Sequence, residues 1–280
     1  MDIILYNPLS NKGKNKHIAE KLSKKHQKKG FNVDIKNLLD IHDVKSFLSA
    51  CKEEDRIIII GGDGTLNRIV NQIQGIDIKP SVFMYKAGTG NDFIRSVLVK
   101  HKLADIKPYI MNLPTVSVND KHSLFLNGTG VGLDGLVCYK VNRSKQIKNK
   151  SNYFKNSIQS FFQYKPVTAY ITVDGESFEA NKVWFATCMH SKYFGGGMML
   201  APKIKRTDKV IELVVVKDVP RWLLLLIFPT IYFGWHRIFK SFVKFYRGKD
   251  IKVQLLVDTY MQIDGDEIYP VREYQVKAHE

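Results

Sequence analysis

Residues Ile57-Ile58-Ile59-Ile60-Gly61-Gly62-Asp63-Gly64-Thr65-Leu66-Asn67, followed by the apolar-periodic Ile69, Val70 and Ile73, decide the fold. Four consecutive β-branched residues ended by a glycine pair read as a buried parallel strand, and the spacing after them reads as a helix. Gly61, Gly62 and Gly64 carry no Cβ, so the backbone can approach a ligand closely, and the helix N-terminus beyond them offers unpaired N–H groups to phosphate. Asp63 lies inside this cradle. A carboxylate beside phosphate is repelled unless a divalent cation or a transferable proton lies between them, which points to phosphoryl transfer rather than simple binding. A purely structural strand-turn-helix is the alternative for one glycine-rich turn taken alone.

Two further loops favour the site. Asn7-Pro8-Leu9-Ser10-Asn11-Lys12-Gly13-Lys14 follows a first strand at 3–6, and Ala87-Gly88-Thr89-Gly90-Asn91-Asp92-Phe93 follows an apolar run at 82–85. In an open parallel sheet, loops beyond the carboxyl ends of the strands line one crevice. Helices are expected at 14–29, 44–51, 67–73 and 93–97, and strands at 31–36, 56–60 and 81–85. This alternation predicts an α/β nucleotide-binding domain with a parallel sheet over residues 1–115. From Thr115 onward the texture becomes short β-rich runs, at 116–119, 123–127, 167–173, 183–189, 210–217, 251–257 and 260–263. They predict a mainly antiparallel β-sandwich domain over 116–280, with the extreme C-terminus able to return to the first domain. Asn119-Asp120-Lys121 and Asp174-Gly175-Glu176 read as hairpin turns, and the polar, basic stretch 139–162 as helical.

The chain has 280 residues, 44% hydrophobic and 25% charged, the composition of a globular protein of one large or two ordinary domains. Lys plus Arg number 43 against 27 Asp plus Glu, a formal charge of +16. Such an excess attracts polyanions. Without an aromatic-basic RNA motif, a zinc finger or a helix-turn-helix signature, the expected polyanion is an anionic membrane surface and not nucleic acid, with a lysine-rich compositional bias as the bland reading. Cys51, Cys138 and Cys188 form no CxxC pair, which fits a reducing cytoplasm better than a disulfide framework. The opening residues have no basic n-region and read as a strand, not a signal peptide.

Asn7-Pro8 with Ser10 and Lys12, Gly61 to Asn67, Gly88-Thr89-Gly90-Asn91-Asp92-Phe93, Gly195-Gly196-Gly197-Met198 with Ala201-Pro202, and Asp264-Gly265-Asp266-Glu267 occur in that order. As a set they closely resemble the bacterial diacylglycerol kinase and lipid kinase family, related to sphingosine kinases. The resemblance implies two domains with ATP and Mg²⁺ in a cleft between them and a lipid hydroxyl as phosphoryl acceptor, at the inner face of the membrane. It places Asn7, Pro8, Ser10, Asn11, Lys12, Gly61, Gly62, Asp63, Gly64, Thr65, Leu66, Asn67, Thr89, Asn91 and Asp92 at the nucleotide, with Asp63 and Asp92 holding Mg²⁺. NAD kinases look similar at the glycine motif. A soluble NAD-kinase-like enzyme and a non-catalytic lipid-binding relative therefore stay open, as does assembly into a homodimer.

If the tract after residue 263 stays extended, Asp264 and Asp266 face the same side and one of them takes the proton of the acceptor hydroxyl. The family usually has Glu at the position of Asp266 as catalytic base. The shorter Asp266 with Glu267 beside it leaves the choice among Asp264, Asp266 and Glu267 open, against an acidic hairpin tip as the bland reading. The family also often places a structural Mg²⁺ near the segment Thr207-Asp208-Lys209-Val210-Ile211-Glu212. Here Asp208 and Glu212 are candidate ligands, and Lys209 stands where it can replace the metal.

The most apolar run, 222–235, is divided by Pro229 and is too short to cross a bilayer, which takes roughly 20 residues. Its aromatics and the basic residues around it read either as an interfacial lipid surface or as buried helices covering the β-domain, with the leucines expected inside.

Overall fold

The computed structural model of the chain describes residues 1–87, 91–97, 102–144 and 150–279, with the backbone alone for 150–155. The chain forms two compact units, Met1–Asn112 and Leu113–Glu280.

The first unit runs β1 (Asp2–Tyr6), α1 (Asn15–Gln27), β2 (Val33–Asn37), α2 (Val44–Ser49), β3 (Arg56–Gly61), α3 (Asp63–Gln72), β4 (Ser81–Lys86), α4 (Asp92–Ser96), β5 (Leu103–Asp105) and α5 (Lys107–Ile110). Its five-stranded sheet has the order β2-β1-β3-β4-β5. The first four strands are parallel, while β5 pairs antiparallel with β4 and closes that edge. Ile57 to Ile60 are at most 1% exposed. A central strand covered on both faces has no solvent side to encode, so an unbroken β-branched run replaces alternation. Helix α1 buries Asn15, Ala19, Leu22, Ser23 and His26, the helical spacing of an amphipathic stripe. At the amino edge of the sheet the buried Asp2 carboxylate accepts from Arg56 Nε (2.6 Å) and Nη2 (2.7 Å) and pairs with His26 Nδ1 (2.5 Å). Those bonds tie β1, β3 and α1 together at the end away from the glycine loop.

The second unit contains β6 (Thr115–Val118), β7 (Lys121–Leu124), β8 (Gly128–Gly132), α6 (Leu133–Arg143), α7 (Lys150–Gln163), β9 (Val167–Val173), β10 (Glu176–Met189), β11 (Ile211–Lys217), α8 (Arg221–Ile227), β12 (Val243–Gly248), β13 (Asp250–Ile263) and β14 (Asp266–Lys277). All described pairings in it are antiparallel. One sheet makes both layers, because β10 and β13 are long enough to serve each. The first part of β10 pairs with β9 and the last part with β8, with a register break between Ala180 and Val183. Likewise β13 pairs first with β9 and then with β8, across irregularities between Gln254 and Met261. Bulges of this kind bend a strand and let it change layers. Val116, Ile171, Val253, Val271 and Tyr274 fill the space between the layers, and Leu136, Phe161, Trp184, Leu224 and Ile227 pack outside the sheet under α6, α7 and α8.

The C-terminal strand β14 stays in this sheet, between β13 and β6, so it does not return to the first unit. Strand β8 was not expected, since Gly-Thr-Gly-Val-Gly carries little strand propensity. A Cβ on Gly130 would lie 2.4 Å from the Ala186 carbonyl oxygen and 2.5 Å from Thr187 Cα. The backbone of β10 occupies the space a side chain would need, and only glycine fits.

Candidate functional site

In the first unit, the loops after β1, β3 and β4 emerge at the carboxyl edge and are joined by hydrogen bonds. Asn7 Nδ2 donates to Thr65 Oγ1 at 2.8 Å, and Asn7 Oδ1 accepts from the Leu9 amide at 2.9 Å. Buried Asn15, the first residue of α1, donates to the Asn7 carbonyl (3.0 Å) and Ser10 Oγ (2.6 Å) and accepts from Asn11 Nδ2 (3.2 Å). Asn15 thus organises the whole first loop. In the sequence it is one residue of the helix expected at 14–29, because nothing in an Asn at a helix start distinguishes a buried anchor from a cap. Asn11 and Lys12 take φ of 54° and 55°, and Lys12 is exposed.

The glycine turn ends β3, and Gly62 caps α3, its carbonyl accepting from the Thr65 and Leu66 amides at 3.0 and 3.2 Å. Leu66 is fully buried, so its side chain belongs to the core and only its backbone can face a ligand. Asn67 sits one turn on, bracketed by Asn71 Nδ2, which donates to its carbonyl and to Oδ1 (2.9 and 3.2 Å). The Asp63 carboxylate accepts from the Asp92 amide (2.8 Å) and the Phe93 amide (3.3 Å), at the start of α4. A carboxylate there meets amides that the helix itself leaves unpaired. Asp63 therefore joins the second loop to the third, which brings Asn91 and the buried Asp92 beside it. Thr89, with Gly88 and Gly90, lies outside the described residues.

Mg²⁺ favours oxygen ligands and is commonly held by one or two carboxylates together with substrate phosphate oxygens. Asp63 and Asp92 are carboxylates of the kind that donor set uses, and the Asp63 bonds to the Asp92 and Phe93 amides hold the two residues side by side. Among the described residues, no group of three His, Cys, Asp or Glu side chains is placed to hold a metal alone.

The second unit corrects the reading of the acidic tract. Ile263 pairs with Asp266, and Asp264 and Gly265 form the two-residue turn between β13 and β14, with φ of 49° and 97°. The segment is therefore a hairpin tip of the left-handed kind, not extended chain, and alternation does not place Asp264 and Asp266 on one face. Asp264 turns back into the protein. Its carboxylate accepts from the amides of Leu126 (2.5 Å), Asn127 (2.8 Å) and Gly128 (3.2 Å). Buried Arg206 holds the same loop from the other side, donating to the Leu126 carbonyl and Asn127 Oδ1.

Gly265 is held as well, its amide by Gln262 Oε1 (3.0 Å) and its carbonyl by Asn142 Nδ2 (3.0 Å). Glu267 Oε2 accepts from Asn142 at 2.6 Å, with Arg143 Nε 3.8 Å from its other oxygen. The turn is thus fixed by its neighbours, and Asp266 stands at its exposed edge. Sequence reasoning missed Asp134, in the first turn of α6. It accepts from Thr187 Oγ1 (3.1 Å) and Gln262 Nε2 (3.3 Å), so Gln262 links it to the hairpin tip. Burial pushes its carboxyl above the ordinary carboxylate value, against the pull of the Gly135 amide, Thr187 and Gln262. The signal available was an acid immediately after a glycine-rich segment, which is too common to single out. Burial, together with Asp134, Glu267 and Asp266, raises the neighbouring Cys138 thiol to about 12.

Asp208 and Glu212 are not brought together around a metal. Asp208 Oδ2 accepts from the Lys205 amide at 3.0 Å in a local turn. Glu212, 2% exposed in β11, pairs with Arg247 Nε at 2.9 Å and faces Arg237 Nη1 at 4.0 Å. Two guanidinium groups, rather than Lys209, supply the positive charge at Glu212, from positions too distant in sequence to be foreseen. Of the leucines expected inside, Leu224 is buried, with Ile227 beside it in the core, but Leu225 and Leu226 are exposed.

The Diacylglycerol kinase catalytic domain model matches residues 3–117, and the YegS C-terminal NAD kinase beta sandwich-like domain model matches residues 128–275. A Bacillus subtilis protein named "Putative lipid kinase YtlR" is 30% identical over 219 residues, 70% of this chain and 69% of its own length. The Diacylglycerol kinase of the same organism is 28% identical over 224 residues, 76% of this chain and 73% of its own. A solved structure titled as a "putative diacylglycerol kinase" of Bacillus anthracis superposes with a TM-score of 0.70 at 20% identity, over 99% of this chain and 92% of the other, a likeness of fold. With both halves matched in the order the loops predicted, the chain belongs to the bacterial diacylglycerol kinase and lipid kinase family.

Proposed function

We propose that this protein transfers the γ-phosphate of ATP to the hydroxyl of diacylglycerol or a similar lipid alcohol, working at the inner membrane surface. The observation that carries the nucleotide half is the junction of three loops at one sheet edge, through Asn7 to Thr65 (2.8 Å) and Asp63 to the Asp92 amide (2.8 Å). Phosphoryl transfer asks little covalent chemistry of a protein. It asks for positioning and for charge aimed at the phosphate oxygens. Glycine-turn amides, Lys12 and the polar groups of the first loop would bind and orient the triphosphate. Mg²⁺, held by Asp63 and Asp92, would supply charge neutralisation at the phosphates.

The acceptor half is assigned to the second unit. Asp264 accepts three amides and is a structural clamp in this reading, Glu267 is held by Asn142, and Asp266 is the carboxylate assigned to take the acceptor proton. As that proton leaves, the alcohol oxygen bonds to the γ-phosphorus, the bond to the β–γ bridging oxygen breaks, and ADP departs with the electron pair. Incubation with γ-labelled ATP, Mg²⁺ and a panel of diacylglycerols, other lipid alcohols and NAD tests this. Label in a lipid extract is the expected result. Label in NAD, or none in any acceptor, would overturn the assignment.

A further inference from the structure

The connection between β11 and β12 is an anchored excursion with an apolar outer face. Its inner side is fixed by buried Leu224, Ile227 and Ile231, by Trp184 Nε1 donating to the Val219 carbonyl (3.0 Å), and by a 2.9 Å contact of His236 Nε2 with the Leu200 carbonyl. Arg221 Nη2 donates to the Tyr164 carbonyl at 2.6 Å. The outer side shows Trp222, Leu226, Tyr232, Phe233, Trp235 and Ile238, each between 48% and 72% exposed. Phe233 and Trp235 lie together, with ring centroids 5.1 Å apart. Large apolar side chains clustered on a fixed element mark an interaction surface rather than scattered surface hydrophobicity.

Charge identifies the partner. Between Asp218 and Asp250 the sequence holds Arg221, Arg237, Lys240, Lys244, Arg247 and Lys249 and no carboxylate. Glu212, which faces Arg247 and Arg237, is buried and displays little negative charge outward. A second copy of this chain would set the same cation-rich, carboxylate-free stretch against its own and be repelled. An anionic bilayer offers what the surface lacks, since Trp and Tyr favour the headgroup level and Lys and Arg the lipid phosphates.

We infer that the outer face of residues 221–240 is a docking surface for an anionic lipid bilayer, with Trp222, Leu226, Phe233 and Trp235 inserted at the headgroup level. This deepens the lipid kinase reading and rests on it for the purpose of docking, whereas the docking itself is measured without any phosphoryl transfer. Vesicles of phosphatidylcholine, with and without phosphatidylglycerol, provide the test. The wild-type chain should float with the anionic vesicles, show blue-shifted tryptophan emission, and have that emission quenched by brominated lipid. Binding should weaken as salt rises from about 0.1 M to about 1 M and the screening length falls from about 10 Å to about 3 Å.

The triple variant Trp222→Ser, Leu226→Ser, Phe233→Ser should keep its far-UV spectrum and lose about tenfold or more of the partitioning. Wild-type protein that ignores anionic vesicles, or a triple variant that binds them equally, would overturn the proposal. So would a wild-type dimer that the triple variant converts to monomer, since the face would then cover a second copy. Docking without phosphate transfer to any lipid would refute the kinase reading and leave the surface standing. Transfer to a dispersed short-chain diacylglycerol without docking would refute the surface alone.

Discussion

Gly64→Ala should separate what the fold needs from what the ligand needs. Gly64 is exposed in the first turn of α3, and among the described residues a Cβ built on it meets no atom within 4 Å outside its own stretch of backbone. Alanine in a helix is favoured over glycine by about 0.5–1 kcal/mol, so the variant should gain roughly that much stability. The contrast is Gly61, where a Cβ would lie 2.6 Å from Thr65 Cβ, and Gly61→Ala should cost about 1–3 kcal/mol through overpacking. If the amides of this turn receive a triphosphate, the methyl of Gly64→Ala occupies space the phosphate needs. Each 1.4 kcal/mol lost is then about tenfold in ATP affinity, and we expect at least one such step. All three tryptophans lie in the second unit, so the stability of the first is best read from hydrogen exchange of the β3 amides. ATP affinity follows by calorimetry. A variant more stable than wild type that binds ATP equally well would refute the reasoning.

Three further outcomes follow from the geometry. His190, buried beside Arg206, is held neutral with its pKa pushed down to about 3, by burial first and Arg206 second. Its unfolded value is about 6.5, so its contribution is full above that pH and is lost on acidification toward 3, by up to about 1.4 kcal/mol per pH unit; His190→Gln should flatten the stability profile between pH 6.5 and 4. Arg247→Ala should destabilise the fold by about 1–3 kcal/mol by depriving buried Glu212 of its nearest partner, and Mg²⁺ should not restore it in urea unfolding, whereas rescue by Mg²⁺ would revive a metal at Glu212. Asp264→Asn should lower stability by about 1–3 kcal/mol through its three amide bonds, while Asp266→Asn should lower turnover by about a hundredfold or more in protein that is still folded, which kinetics paired with denaturation would expose.

What the residues disclosed depended on how local the determining physics was. The β3 run, the glycine turn and the Asp-Gly hairpin at 174–175 are encoded within a few positions, and each stands where the sequence placed it. The register of β8 was hidden because a glycine strand is justified only by the β10 backbone beside it, more than fifty residues away. The hairpin at Asp264 has the same Asp-Gly signal as the one at 174–175. Of the two readings open for that tract, extended chain and acidic hairpin tip, the turn chemistry of Asp-Gly decides for the hairpin. Asn15, Asp134 and the Glu212 pair with Arg247 escaped for a common reason: a buried polar group is defined by partners that only the tertiary fold assembles.

The most direct measurement is the rate of phosphate transfer from ATP to diacylglycerol in mixed micelles by the wild-type chain and by Asp63→Asn, with hydrogen exchange confirming that the first unit stays folded. Asparagine keeps the size of Asp63 but removes its charge. The wild-type chain should make lipid phosphate, and the variant should be slower by about a hundredfold or more. Equal rates for the two proteins would contradict the account.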